Sequence, residues 1–265
     1  MRKFTFLRPL SQHRISTFMG ILPSILILML GISTLCLHHE PLPLALERIT
    51  EVTGSIEVMD EGLHFLKNAE PLLSHSCIFS IHAPCRGTNL ASLLEPIRRA
   101  SVVVMEECFA IAAEVDAAIV VHPGYFAWPE ERVQAEQQLE RSLAELSTAA
   151  REYGVSYSVE NMGNWEYFFL KTPEELPLIG GCGFTLDVGH AHQNHCLGSF
   201  LTCPAQHYHL HDNDSTTDSH LAVGKGTIDF TVVMAAVKKG GGSPVIEVAD
   251  FDGAIKSLHV LEKML

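Results

Sequence analysis

The chain has 265 residues, with 18 Lys and Arg against 31 Asp and Glu, a formal net charge of −13, and 47% hydrophobic residues. That balance excludes a disordered chain, a collagen-like repeat and a small disulfide scaffold, and it disfavours a broad grip on nucleic acid, which depends on Lys and Arg neutralising phosphates. The length suits one α/β barrel of about 250 residues as well as it suits two smaller domains.

Residues 1–28 come first and differ from the rest. They hold Arg2, Lys3, Arg8 and Arg14 and no acid, and an apolar run from Phe18 to Leu37 overlaps them. A basic start before a long apolar stretch has the pattern of a signal peptide or membrane anchor. Gly20, Pro23 and Gly31 interrupt the run, however, and its second half reads as a buried strand. The favoured reading is an N-terminal extension fused to the first core strand, with Met29 a candidate start and no membrane role. From Met29 onward the count is 14 basic against 31 acidic residues, a net charge of −17.

Strand-like and helix-like runs then alternate. Strands are predicted at 30–37, 55–59, 77–82, 117–122, 155–160, 183–187, 207–211 and 244–248. Helices are predicted between and after them, at 42–53, 62–74, 90–115, 129–153, 172–179, 192–202, 228–238 and 251–264. In the helix at 129–153, Val133, Leu139, Leu143, Leu146 and Ala149–Ala150 fall near helical spacing, and Gly154 supplies the stop. Eight βα units in unbroken alternation predict a single (β/α)8 barrel over residues 29–265. A doubly wound open sheet would carry a Gly-rich phosphate turn after its first strand, and Ile32 to His38 has none. Lys239 to Ser243 reads as a turn before the last strand.

The seven cysteines form no CxxC pair and sit mostly in apolar surroundings. They read as packing residues, Cys182 and Cys196 included, in a reducing, cytoplasmic compartment.

The polar residues cluster at the strand ends. The third strand ends in His82, the fourth in His122, the fifth in Glu160, and the sixth in Asp187 with His190 just beyond. The seventh carries His207, His209 and His211, followed by Asp218 and His220, and the eighth ends in Glu247. In a barrel these ends converge on one mouth, where catalysis is placed. Buried carboxylates there need a compensating charge, and imidazole with carboxylate suits a divalent metal such as zinc or manganese. His209 and His211 share a parity, so spacing does not choose between them. His192, His195 and His207 read as incidental. Phe126, Trp128, Trp165 and Tyr167 lie in the loops after strands four and five, where they could stack on a bound ligand.

The ordered set Ser-Ile-His82-Ala-Pro, Val-His122-Pro-Gly, Val-Glu160-Asn, Leu-Asp187-Val-Gly-His190, His209-Leu-His-Asp-Asn-Asp, Asp218-Ser-His220 and Ile-Glu247 resembles the xylose-isomerase-like TIM-barrel superfamily. That superfamily contains sugar isomerases and epimerases and zinc-dependent apurinic/apyrimidinic endonucleases. The resemblance to the endonuclease branch implies up to three zinc ions held by positions matching His82, His122, Glu160, Asp187, His190, His209, Asp218, His220 and Glu247. The resemblance to the epimerase branch implies one metal on Glu160, Asp187, His209 and Glu247, with Glu160 and Glu247 moving protons and His190 polarising a substrate oxygen. The leading expectation is a metal-dependent sugar or sugar-phosphate isomerase/epimerase. The alternatives are a zinc-dependent endonuclease or small phosphoester hydrolase, and a non-catalytic metal-binding barrel. Arg86, Lys171 and Lys225 are the main cations of the mouth loops, too few for a duplex grip.

Overall fold

The computed structural model describes residues 28–265. Apart from residue 28, the expected extension lies outside them. Eight parallel strands close into a barrel in chain order: β1 (Gly31–Ser33), β2 (Ser55–Met59), β3 (Ile78–His82), β4 (Ala118–Val121), β5 (Tyr157–Glu160), β6 (Gly183–Asp187), β7 (His207–Leu210) and β8 (Ser243–Ile246). β1 pairs with β2 on one side and β8 on the other, which shuts the barrel.

Helices α1 (Leu42–Thr50), α2 (Glu70–Leu73), α3 (Glu95–Val115), α4 (Arg132–Tyr153), α5 (Val188–Gln193), α6 (Leu197–Phe200), α7 (Phe230–Gly240) and α8 (Phe251–Glu262) follow the strands. Apolar spacing decides how the longer ones pack. In α1, Leu42, Ala45, Leu46 and Ile49 fall at i, i+3, i+4 and i+7 and all are buried. In α4 the buried face is Ala135, Leu139, Leu143, Leu146 and Ala150, while Val133 is 63% exposed and lies off it. Burying one such Leu contributes about 1.5–3 kcal/mol. Arg98 of α3 is fully buried and ties α3 to α4, donating to Ser142 Oγ at 3.0 Å and pairing with Glu145 at 3.1 Å. Among the described residues no helix is long and apolar enough to cross a membrane.

The boundaries depart from the sequence pattern where side chains seize the backbone. β1 stops at Ser33, whose hydroxyl accepts from Leu35 N–H at 3.2 Å and starts a 3-10 turn over Thr34–Leu37. The expected helix at 62–74 is a 3-10 turn at Gly62–His64 followed by the four residues of α2. Asp60 accepts from Leu66 N–H at 2.5 Å and holds the intervening chain back. α3 begins at Glu95 rather than 90, with Pro96 in its first turn. Pro173 and Pro177 make residues 173–179 a 3-10 helix. The helix expected at 192–202 starts early, because Asp187 caps it by accepting from His190 N–H at 2.7 Å, and it breaks at His195, whose φ is 56°.

Strand alternation separates two environments. Phe79, Ile81, Tyr208 and Leu210 face the helices and build the apolar layer. The alternate positions line the barrel, and they are polar: Ser80 and His207 both reach the Glu57 carboxylate, and Ser158 Oγ contacts Thr185 Oγ1 at 2.5 Å.

Candidate metal centre

Every sequence-chosen ligand lies at the C-terminal mouth, and their ring nitrogens and carboxylate oxygens gather into three touching groups. In the first, His82 Nε2, His122 Nε2 and Glu160 Oε2 form a triangle with sides of 3.1, 3.3 and 3.2 Å. In the second, His209 Nδ1 lies 3.3 Å from Glu160 Oε1, 3.8 Å from Asp187 Oδ2 and 3.4 Å from Glu247 Oε2. In the third, Asp218 Oδ2 lies 3.2 Å from His190 Nε2 and 3.4 Å from His220 Nε2. The two oxygens of Glu160 thus belong to different groups.

Local bonding aims these atoms. His82 Nδ1 donates to Ala83 O at 3.0 Å, His190 Nδ1 to Asn161 O at 2.9 Å, and His220 Nδ1 to Glu247 O at 2.7 Å. A carbonyl can only accept, so each Nδ1 carries a proton and each Nε2 is turned to the cluster. Asn161 accepts from Asp187 N–H at 2.7 Å and donates to Asp187 O at 3.0 Å, locking β5 to β6 beside the carboxylates. Asp212, just past β7, accepts from the N–H groups of Asn213, Gly224, Gly226 and Ile228 at 2.9–3.1 Å. That carboxylate folds the segment carrying Asp218 and His220 over the mouth.

The electrostatics are those of a buried, tightly interacting histidine–carboxylate cluster. Glu160 and Asp187 are almost fully buried. Burial alone would raise both, yet the facing histidines hold each below the ordinary carboxylate value. Burial likewise opposes charge on His82 and His220, but Glu160 and Asp218 lead the interactions that push the two rings up to about 9. His190 and His209 are held well above the ordinary value by the same balance. Burial keeps His122 below it.

Glu160 Oε2 and His209 Nδ1 are buried and lack a hydrogen bond of good geometry, although ring nitrogens and carboxylates lie 3.2–3.4 Å away. Each is close to its neighbours without bonding them, one in the first group and one in the second. Zinc ligands at 2.0–2.1 Å in a tetrahedron sit ~3.3–3.4 Å apart. The triangle sides match that spacing, and the donors are nitrogen and carboxylate oxygen, so the residues present fit a divalent ion.

The sequence missed several members. Glu57, fully buried on β2, contacts His209 Nε2 and His207 Nε2 at 2.8 Å each. Its signal was a lone carboxylate inside an apolar strand. His207, set aside in the sequence, is therefore buried against a carboxylate. His211 also faces inward, 3.1 Å from Asp187 Oδ1 and stacked on His220 with ring centroids 3.9 Å apart. Cys85 sits near His82 and His122. Burial, with Glu61 and Glu160 nearby, raises its thiol strongly, so the protonated sulfur is a poor ligand. Cys182 and Cys196 bond to Tyr157 and the Lys171 carbonyl, away from the cluster, and all seven cysteines are free. His192 contacts Thr227 and is half-buried.

A cavity of about 1180 Å³ opens over the three groups. Trp165 and Phe168 line it, whereas Phe126 packs on Phe169 and Tyr167, and Trp128 is 63% exposed outside the lining. Of the three mouth cations Arg86 alone lines it, in company with Asp60, Glu61, Glu160, Asp218 and Glu247.

The closed parallel barrel and its histidine–carboxylate mouth define a TIM barrel with candidate metal sites. Residues 68–264 match the family model described as xylose isomerase-like TIM barrel, and the chain belongs to that family. A solved structure described as a D-tagatose 3-epimerase-like protein is similar at 30% identity and a TM-score of 0.84, covering 89% of this chain and 96% of that one. The uncharacterized protein MJ1614 of Methanocaldococcus jannaschii is 32% identical over 200 residues, 74% of this chain and 78% of the relative. A probable endonuclease 4 of Mycobacterium tuberculosis is 29% identical over 191 residues, 64% of this chain and 72% of the relative.

Proposed function

We propose that the protein is a metal-dependent sugar isomerase/epimerase acting on a free or phosphorylated ketose. The observation that carries this reading is the placement of Glu160 and Glu247 on β5 and just past β8. Both are buried, and both lie within 3.4 Å of His209 Nδ1 beneath an open cavity. Likeness to a D-tagatose 3-epimerase-like structure supports it. Glu160, Asp187, His209 and Glu247 would hold a divalent ion, zinc or manganese, which supplies Lewis-acid polarisation of a carbonyl. One glutamate takes the proton from the carbon beside that carbonyl, and the other returns a proton to the opposite face. Asp187, Asp218 and Glu160 hold His190 well above the ordinary imidazole value, which suits it to donate to a substrate oxygen. Trp165 and Phe168 offer apolar faces to the sugar carbons. The seven free thiols favour a cytoplasmic, reducing location.

A second reading, zinc-dependent cleavage of abasic DNA, draws on the nine gathered ligands and the endonuclease 4 relative. The mouth opposes it, with five carboxylates and one arginine lining the cavity. The test is to incubate zinc- or manganese-loaded protein with free and phosphorylated ketoses in heavy water. NMR is expected to show solvent exchange at the carbon beside the carbonyl and appearance of the epimer. Glu247→Gln is expected to lower the rate by about 10²–10⁴-fold. Nicking of abasic duplex DNA without exchange in any ketose would reverse the ranking.

A further inference from the structure

We propose that Glu57 is a positioning residue of the metal centre: its carboxylate holds the His209 ring so that Nδ1, not Nε2, faces Glu160, Asp187 and Glu247. The inference rests on reading the cluster as a metal centre and adds a residue to it. His82, His190 and His220 all turn Nε2 inward and give Nδ1–H to a backbone carbonyl. Those carbonyls belong to Ala83, Asn161 and Glu247, each one residue beyond the end of its strand. His209 cannot use that device. It lies inside β7, flanked by registered pairs with β6 and β8, where carbonyls are committed to neighbouring strands.

The ring is reversed instead. Its Nδ1 points to the mouth, and its Nε2 lies 2.8 Å from Glu57 Oε1 on the far side of the barrel. The contact has hydrogen-bond distance without good alignment, since both atoms lack a partner of correct geometry. At that distance two lone pairs would repel, so Nε2 carries the proton. The separation is also shorter than the 3.1–3.8 Å between atoms of the mouth groups, which suits a proton between the pair rather than an ion. Glu57 is itself pinned: Ser80 Oγ donates to its Oε2 at 2.9 Å, and His207 Nε2 lies 2.8 Å from the same oxygen. It is fully buried, where a carboxylate without such partners would cost several kcal/mol. A carboxylate behind a metal-binding imidazole fixes ring orientation and raises its basicity.

The experiment compares zinc binding by the unmodified protein and by Glu57→Gln, using a competing chromophoric chelator. Ser80→Ala is the control. The expected result is a loss of about 10–100-fold in affinity for Glu57→Gln, a smaller change for Ser80→Ala, and the same number of ions bound at saturating zinc. A second measurement needs no variant. In nitrogen-labelled protein loaded with an NMR-active cadmium isotope, His209 should couple to the metal through Nδ1 and keep its proton on Nε2. Unchanged affinity in Glu57→Gln, coupling through Nε2, or the loss of one whole ion at saturation would each overturn the proposal. Absence of zinc binding by the unmodified protein would overturn the metal reading and this proposal together.

Discussion

Stripping the metal should make the stability of this protein fall as pH rises toward 9. His82 and His220 are pushed up to about 9 from an ordinary 6.5 by the carboxylates around them. A group raised in the folded state contributes fully below its unfolded value and loses that contribution as pH climbs through its folded value. The rise of each ring corresponds to roughly 3 kcal/mol. The two rings share Glu247 as a partner, so their contributions do not simply add, and roughly 3–5 kcal/mol together is expected. For a chain of this size that is a drop of roughly 10 °C in Tm. The window between pH 6.5 and 9 belongs to the raised rings, and His190 and His209, which also stand well above the ordinary value, steepen the fall. His64 and His122 are held below the ordinary value and act under it, and the buried thiols of Cys36 and Cys108 act above it. Thermal unfolding of chelator-treated protein, followed by circular dichroism across this range, measures the fall. A divalent ion on Glu160, Asp187 and Glu247 would offset the carboxylate charge that raises both rings, so the loaded protein should show less of the fall. Flat or rising stability of the metal-free protein across the window would refute the reasoning.

Asp212→Ala removes the acceptor for four backbone N–H groups. Unpaired buried donors cost about 1–3 kcal/mol each, so Tm should drop, and proton exchange at the ketose carbon should slow, because the segment carrying Asp218 and His220 loses its anchor over the mouth. Gly189→Ala drives a Cβ into the His211 ring. Overpacking of about 1–3 kcal/mol is expected, readable as a lower urea midpoint together with weaker zinc binding, because His211 braces Asp187 and stacks on His220. Glu247→Gln should retain the fold by circular dichroism while losing proton exchange at the ketose carbon, which separates chemistry from folding.

The barrel was legible because its evidence is repetitive. Eight apolar runs alternate with amphipathic ones, and one misjudged boundary does not disturb the others. The candidate cluster was legible because carboxylates and histidines at strand ends have few structural reasons to be there. What escaped depends on specific side chain–backbone bonds. The Asp60 contact to Leu66 N–H breaks the expected second helix, and the Asp187 cap starts α5 four residues early. Glu57 escaped for a different reason. It lies mid-strand, far in sequence from His207 and His209, and only closure of the barrel brings β2 across from β7.

The alternation in β7 has a consequence for how this protein can change over generations. His207, His209 and His211 share one side of the chain and stand at successive depths, touching Glu57, then Glu57 and Glu160, then Asp187. Tyr208 and Leu210 occupy the other side against the helices. Substitution on the helix-facing side is a matter of volume and leaves the charged column intact. Insertion or deletion of a single residue is different, because it exchanges the two sides at once. Tyr208 and Leu210 would then enter the column, and three imidazoles would enter an apolar layer. Length variation should therefore accumulate in the loops around β7 and be purged from within it.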